Sequence, residues 1–356
     1  MLNLGQLQQH VQRNCDISDA RHAGNYTMCI FLLKMREYYR WEHDIPLSGS
    51  LPKDAIGQWL VRREQDWESL EEDDYSPLLL GASGADPFDD VTINSHLLEQ
   101  GYIYSSGIGI FSKPHFFLGQ LARHEQHDGI NIYVASCEYA RDLVAPPAMS
   151  RDDTVYVRME SLRRTIWEKV EEWQWNREHD TALYQTVKTF GVDLLQNDLP
   201  LERLEQLLDD MTESQVDNVI QHELGEILAG RLLGPQWKDM VLALAGSRDE
   251  LVARAVRDHL ADSLTTLPAL IAGADPARLH YYFANFASLR KAIWPELLGA
   301  YHDWRNTGSL SALEQQARMA PDRWRNIAAN MLDCYARSTQ HVTEYIDREF
   351  ADRLNR

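Results

Sequence analysis

Apolar residues spaced three and four apart dominate the chain. Tyr26, Ile30 and Leu33 recur at that spacing behind Ser18, a good helix cap, and predict a helix over 18–44 that Pro46 and Gly49 close. Ile56, Trp59, Leu60, Trp67 and Leu70 predict a second amphipathic helix over about 53–72, ahead of the acidic run Glu71 to Asp74. Pro77, Gly81, Gly84 and Pro87 mark 76–90 as loop. Between 91 and 160 the period shortens. The runs 102–111, 130–135 and 154–159, with the turn Asp128-Gly129, predict a small sheet or a pair of hairpins. Beyond Glu160 the helical period is nearly continuous, broken at Asn197 to Pro200, Gly234-Pro235, Gly246-Ser247, Pro268, Gly273 to Pro276, Asn306 to Ser309 and Pro321. The expected fold is mainly α, a multi-helix bundle with a small β-containing insertion around residues 91–160. No fixed-period repeat suggests a solenoid.

Length adds a division. At 356 residues the chain exceeds the usual single core, so an N-terminal helical lobe with the β region is expected over 1–159 and an all-helical lobe over 160–356. Apolar residues at 44% and charged residues at 25% exclude a largely disordered chain. The 54 acidic against 35 basic residues give a net charge of -19, which repels phosphate backbones and makes nucleic acid an unsuitable partner. The nearest basic cluster, Arg158, Arg163 and Arg164, sits among Glu160, Glu168, Glu171 and Glu172 and is expected to be a solvated helix face. Cys15, Cys29, Cys137 and Cys334 show no CxxC spacing and are expected to be reduced thiols. The first residues lack the basic and apolar blocks of a signal peptide, and no stretch approaches the roughly 20 apolar residues that span a bilayer. A soluble, cytoplasmic protein without a membrane partner is the expectation.

Candidate chemistry concentrates on the helix expected to start at a capping box, Thr212 and Gln215, and to stop at Gly234-Pro235. His222 and Glu226 lie one turn apart, and Glu223 points between Glu226 and the stripe Val216, Ile220 and Ile227. The segment His222-Glu223-Leu224-Gly225-Glu226 resembles the zincin HExxH helix, with Glu226 replacing the second histidine. That resemblance implies His222 and Glu226 as metal ligands and Glu223 as the catalytic acid or base. On the next helix, about 249–264, Asp258 and Asp262 continue a stripe of Leu251 and Ala255. Carboxylates there need a partner or a cation. With His280 from a third helix and Glu37 on the line of Tyr26, Ile30 and Leu33, these groups make an oxygen-rich ligand set suited to iron, manganese, magnesium or zinc.

Each grouping also has a plain alternative. His222, Glu223, Glu226, Asp258 and Asp262 also read as a buried polar network satisfied by Arg231, Arg254, Arg257 and Arg290, the plainer account of the two. Glu37 reads as the partner of Arg36 or Arg40, Glu42-His43-Asp44 as a solvated helix end, and His115 as a packed core histidine. Arg123 to Asp128, with His124 and His127, reads as an exposed helix end. No P-loop, dinucleotide fingerprint or nucleophile elbow is present. His222 to Glu226, Gly234 to Trp237 and Arg257 to Pro268 together resemble an uncharacterised bacterial family of helical proteins with no assigned activity. Two functions follow as expectations. One is a metal-dependent protein of oxidative or hydrolytic chemistry. The other is a non-enzymatic binding or assembly factor, or a homo-oligomer, with Trp173, Trp175 and Trp324 as candidate anchors for a basic partner.

Overall fold

A computed structural model describes residues 3–81, 83–109, 112–178, 180–195 and 199–354, and among them 66% are helical. The end of the predicted run 102–111 and the break at Asn197 lie outside the described residues. Contacts divide the chain into one unit of residues 1–169 and 198–213 and another of 170–197 and 214–356.

The first unit opens with α1 (Leu4–His22), a short 3-10 turn, α2 (Met28–Glu42) and α3 (Lys53–Leu70). The helix predicted over 18–44 is therefore two helices. Ser18 is no cap but a buried residue of α1 whose hydroxyl donates to the Pro114 carbonyl at 2.5 Å. On α2 the expected stripe is also inverted: Ile30 and Leu33 are 47% and 44% exposed, while Met35, Tyr38 and Tyr39 are buried. The predicted loop 76–90 contains a small hairpin, β1 (Leu78–Leu80) with β2 (Ser83–Ala85), before α4 (Asp90–Leu97).

A five-stranded half-barrel follows: β3 (Tyr102–Ile108), β4 (Pro114–His127), β5 (Ile130–Arg141), β6 (Ala148–Arg151) and β7 (Thr154–Arg158), in the order β3-β4-β5-β7-β6. Among the described strands only β5 and β7 run parallel. Asp128-Gly129, both at positive φ, turn β4 into β5 as the sequence predicts, which makes Arg123 to His127 strand rather than helix end. The curl has a local cause. The β4–β5 register shifts near Gly119, where any side chain would collide with the Cys137 carbonyl and the Phe117 ring. Helix α1 packs on β4 and β5, and Leu7, Val11, Cys15, Phe116 and Leu118 share one core.

Helix α5 (Met159–Asn176) contributes residues to both units, as does α7 (Leu201–Leu233); α6 (Ala182–Thr189) belongs to the second. The capping box predicted at Thr212 does not exist. Thr212 lies inside α7, buried, and its hydroxyl donates to the Leu208 carbonyl one turn back at 2.6 Å. The rest of the second unit is α8 (Pro235–Ala243), α9 (Arg248–Leu264), α10 (Thr266–Gly273), α11 (Pro276–Asn285), α12 (Ser288–Ile293), α13 (Pro295–Thr307), α14 (Ser311–Tyr335), α15 (Thr339–Glu349) and α16 (Ala351–Leu354). Pro235, Pro276 and Pro295 open their helices, where a missing N–H costs nothing. The α9–α14 contact carries the main core, with Val256, Leu260, Trp294 and Trp324 among its fully buried members. Among the described residues no helix is long and apolar enough to cross a membrane.

Candidate functional site

The acidic and histidine residues of α7 and α9 meet because the two helices approach closely at Gly225, where a Cβ would run into the Ala261 carbonyl and the Thr265 hydroxyl. Asp262, fully buried, is the hub. Its Oδ1 accepts from His222 Nδ1 at 2.8 Å, and its Oδ2 accepts from the Tyr282 hydroxyl at 2.9 Å and from the Arg290 guanidinium. One turn along α7 from His222, Glu226 pairs with Arg257 at 2.7 Å. Arg254 turns instead to Glu250, at 2.7 Å on its own helix.

These contacts set the protonation of the cluster. Burial works against a charged His222, but the Asp262 carboxylate, its hydrogen bond, and the charges of Glu223 and Glu226 outweigh it and push the imidazole up to about 10. Burial likewise opposes the Asp262 charge, yet Arg290 and His222 hold that carboxyl well below its usual range. Asp258 moves the other way, to about 6, because burial and Glu226 outweigh the pull of Arg290. His259 is a core residue: burial and Arg290 lower it to about 3, and the Phe286, Trp294 and Trp324 rings surround it. At neutral pH the centre is thus an imidazolium and a guanidinium on one carboxylate. Such a His222 cannot act as a base, and its Nδ1 is committed to Asp262.

The structure brings together His222, Glu226, Asp258 and Asp262, with Glu223 contributing its charge. His280 turns to another partner, its Nδ1 lying 2.8 Å from the Tyr301 hydroxyl with its ring against Trp304. Glu37 belongs to the first unit and is paired there with Arg36 at 2.6 Å. Leu251 is 58% exposed, so the stripe expected on α9 does not begin where the sequence suggests. Among the described residues no group of three or more His, Cys, Asp or Glu side chains is arranged to hold a metal ion. Arg290 meets Asp262 and Arg257 meets Glu226, and Tyr282 joins them as a member that the sequence does not flag.

Sequence reasoning misses a second cluster, in the first unit. Arg158 and Arg164, expected on a solvated face, are 0% and 5% exposed, and Arg141 is 2% exposed. The buried carboxylate of Glu138 accepts from Arg158 at 2.6 Å and from the Ser161 hydroxyl at 2.5 Å. Arg141 lies over the Trp41 ring at 4.9 Å and reaches Glu138 only at 3.8 Å. Arg141 and Arg164 line a cavity of about 310 Å³ with Glu37, Arg40, Trp41 and Leu47. The signal available beforehand was the crowding of Arg158, Arg163 and Arg164 where a strand run meets a helix, since a charge at a buried strand end needs a built environment. Of the other histidines, His115 is a core residue bonded through Nδ1 to Asp142 at 2.7 Å, and Lys113 beside it bridges to Asp19 at 2.7 Å.

No curated protein and no solved structure matches the chain. Residues 6–158 match the N-terminal domain model, and residues 163–353 the C-terminal domain model, of a family of unknown function, DUF6866. With the two domains of that family present in order, the chain belongs to the DUF6866 family.

Proposed function

We propose that the protein is a non-enzymatic binding factor, cytoplasmic in setting, in which the Asp262 cluster is a structural network and the first half of α2 docks a protein partner. The observation that carries this reading is an apolar helical surface open to water: Met28, Ile30, Leu32 and Leu33 are 70%, 47%, 44% and 44% exposed within two turns. Single exposed apolar residues need no explanation, whereas four within six residues of one helix support an interaction surface. The net charge of -19 disfavours a second copy as the occupant and favours a partner with a basic rim. Trp175, 71% exposed, supports the same kind of function as an aromatic anchor, whereas Trp173 and Trp324 are packed inside. A metal-dependent reaction at Asp262 has less support, because a cation there would have to displace the two positive groups, Arg290 and His222, and the Tyr282 hydroxyl.

The α2 surface carries its own probe, the exposed thiol of Cys29, while Cys15 is buried. Purified full-length protein is expected to capture a stoichiometric basic partner, with Cys29 protected from a maleimide in the complex and binding weakened by salt. The Ile30→Glu, Leu33→Glu double variant, folded by circular dichroism, is expected to lose that partner. Capture unaffected by the double variant, or a Cys29 that labels equally fast in free and bound protein, refutes the reading.

A further inference from the structure

The arginine-lined cavity of the first unit contains groups whose hydrogen-bonding capacity is unused. Arg141 Nε and Nη2 are buried without a hydrogen-bond partner, and so are Arg164 Nε and Nη1. Two buried guanidiniums in one wall of a cavity are costly unless something anionic meets them. The nearest carboxylates do not bond these nitrogens, and Glu160, also in the lining, gives its Oε2 to the Glu138 amide at 2.6 Å. Glu138 is taken by Arg158 and Ser161, Glu205 accepts from the Ser48 amide at 2.9 Å and from Arg163 at 2.7 Å, and Glu168 stands 3.9 Å from Arg164. Trp41 and Tyr38 hold the Arg141 guanidinium by their ring faces, at 4.9 and 5.7 Å, which fixes its place without consuming its N–H donors. Arg164 is fixed through Nη2 alone, which donates to the Val144 and Ala145 carbonyls at 2.8 and 2.7 Å. The strain shows in the charge state: burial, with Arg164 and Arg158 nearby, lowers Arg141 to about 10.

The same cavity holds the opposite defect. Glu37 is 2% exposed, and while its Oε1 accepts from Arg36 at 2.6 Å and lies 3.5 Å from Arg40, its Oε2 is buried without a hydrogen-bond partner. A plain anion would answer the arginine donors and leave Glu37 Oε2 without a donor. We propose that this cavity binds a small zwitterion of amino-acid type, its carboxylate on the Arg141 and Arg164 guanidiniums and its ammonium on the Glu37 carboxylate. A volume of about 310 Å³ suits a small metabolite rather than a nucleotide or peptide, and Trp41, Pro46 and Leu47 supply apolar wall for its carbon skeleton.

Isothermal titration of the full chain tests this, with the standard L-amino acids one at a time and with propionate, ethylamine and inorganic phosphate as single-function probes. At least one amino acid is expected to bind at one equivalent, and each single-function probe about tenfold more weakly or not at all, since each leaves buried hydrogen-bonding atoms on one side of the cavity unmet. Arg141→Gln is expected to weaken amino-acid binding about tenfold or more. Because Arg141 is buried, that variant risks not folding. Leu47→Trp fills the cavity without removing a charged group and is expected to abolish binding. The proposal is overturned if no amino acid binds, if propionate or phosphate binds as tightly as the best amino acid, or if binding survives Leu47→Trp.

Discussion

Replacing Asp262 by asparagine keeps the shape of the side chain and removes one charge from the interior, leaving His222 and Arg290 as two cations without their anion. The attraction lost is about 4 kcal/mol for one pair about 4 Å apart at an effective dielectric of about 20. Broken buried pairs cost about 3–5 kcal/mol. The imidazole gives a second measure of the same interaction. A rise from 6.5 to about 10 corresponds to about 5 kcal/mol at most, which falls to about 2–3 kcal/mol because 33% of the His222 side chain meets solvent. The two measures overlap and do not add, so the expected loss at neutral pH is about 3–4 kcal/mol.

Its pH dependence carries a definite sign. His222 has a folded value above its unfolded one, so its contribution is fully present below about 6.5 and is lost as pH rises through about 10. Asp262 is held low, so its contribution is present above 3.8 and lost only in strong acid. Urea unfolding by circular dichroism, compared between wild type and Asp262→Asn from pH 6 to pH 10, should show a gap that narrows toward the alkaline end. Imidazole NMR should place His222 near 10 in the wild type and at or below 6.5 in the variant. A gap under about 1 kcal/mol at pH 6, the scale of a surface pair, refutes the argument, as does a variant in which His222 still titrates near 10. Asp262→Leu combined with Arg290→Met should lose less than Asp262→Leu alone, because no lone guanidinium remains.

Gly225→Ala should destabilise by about 1–3 kcal/mol or more in thermal unfolding, since the new methyl meets backbone of α9, whereas Gly107→Ala meets only the flexible end of Met149 and should cost far less. Equal shifts in Tm would show that the α7–α9 approach is looser than described. Glu138→Gln should cost about 3–5 kcal/mol in urea unfolding, because the carboxylate that neutralises Arg158 at 2.6 Å disappears from a fully buried site. A loss under about 1 kcal/mol would mean that Arg158 finds water or another anion.

The helical character of the chain was legible because its period is sustained, and 53–72 and the Asp128-Gly129 turn were read closely for the same reason: local pattern and local structure agree there. The chain between residues 18 and 44 shows where this fails. Periodicity locates an apolar face but not what covers it, so Ile30 and Leu33 looked internal and Glu37 looked anomalous, while the fold buries Glu37 and leaves the leucine in water. Thr212 and Gln215 have the spacing of a capping box, but that spacing also fits a helix interior, where Thr212 bonds back to Leu208. At the candidate site, spacing brought His222 and Glu226 to one side of α7 and Asp258 and Asp262 to one side of α9. What it could not supply was the choice among Arg231, Arg254, Arg257 and Arg290, because the reach of Arg290 from α12 to Asp262 is tertiary. The buried arginines of the first unit were hidden by composition, since glutamates flanking Arg158 and Arg164 in sequence suggested a solvated surface.

The order of strands has a consequence for how the chain is made. After Arg141 ends β5, the polypeptide lays down β6 as an outer strand and returns as β7 in the gap, so β6 has no ladder partner until Thr154–Arg158 arrives. During synthesis from the N-terminus, one edge of β5 therefore stands open while the residues between Arg141 and Thr154 emerge. Such an edge is a template for strand addition by another nascent chain. The gap beside β5 is closed by the last strand, β7, and α5, which begins at Met159 directly after it, follows in the chain only when every strand of the sheet has been laid down.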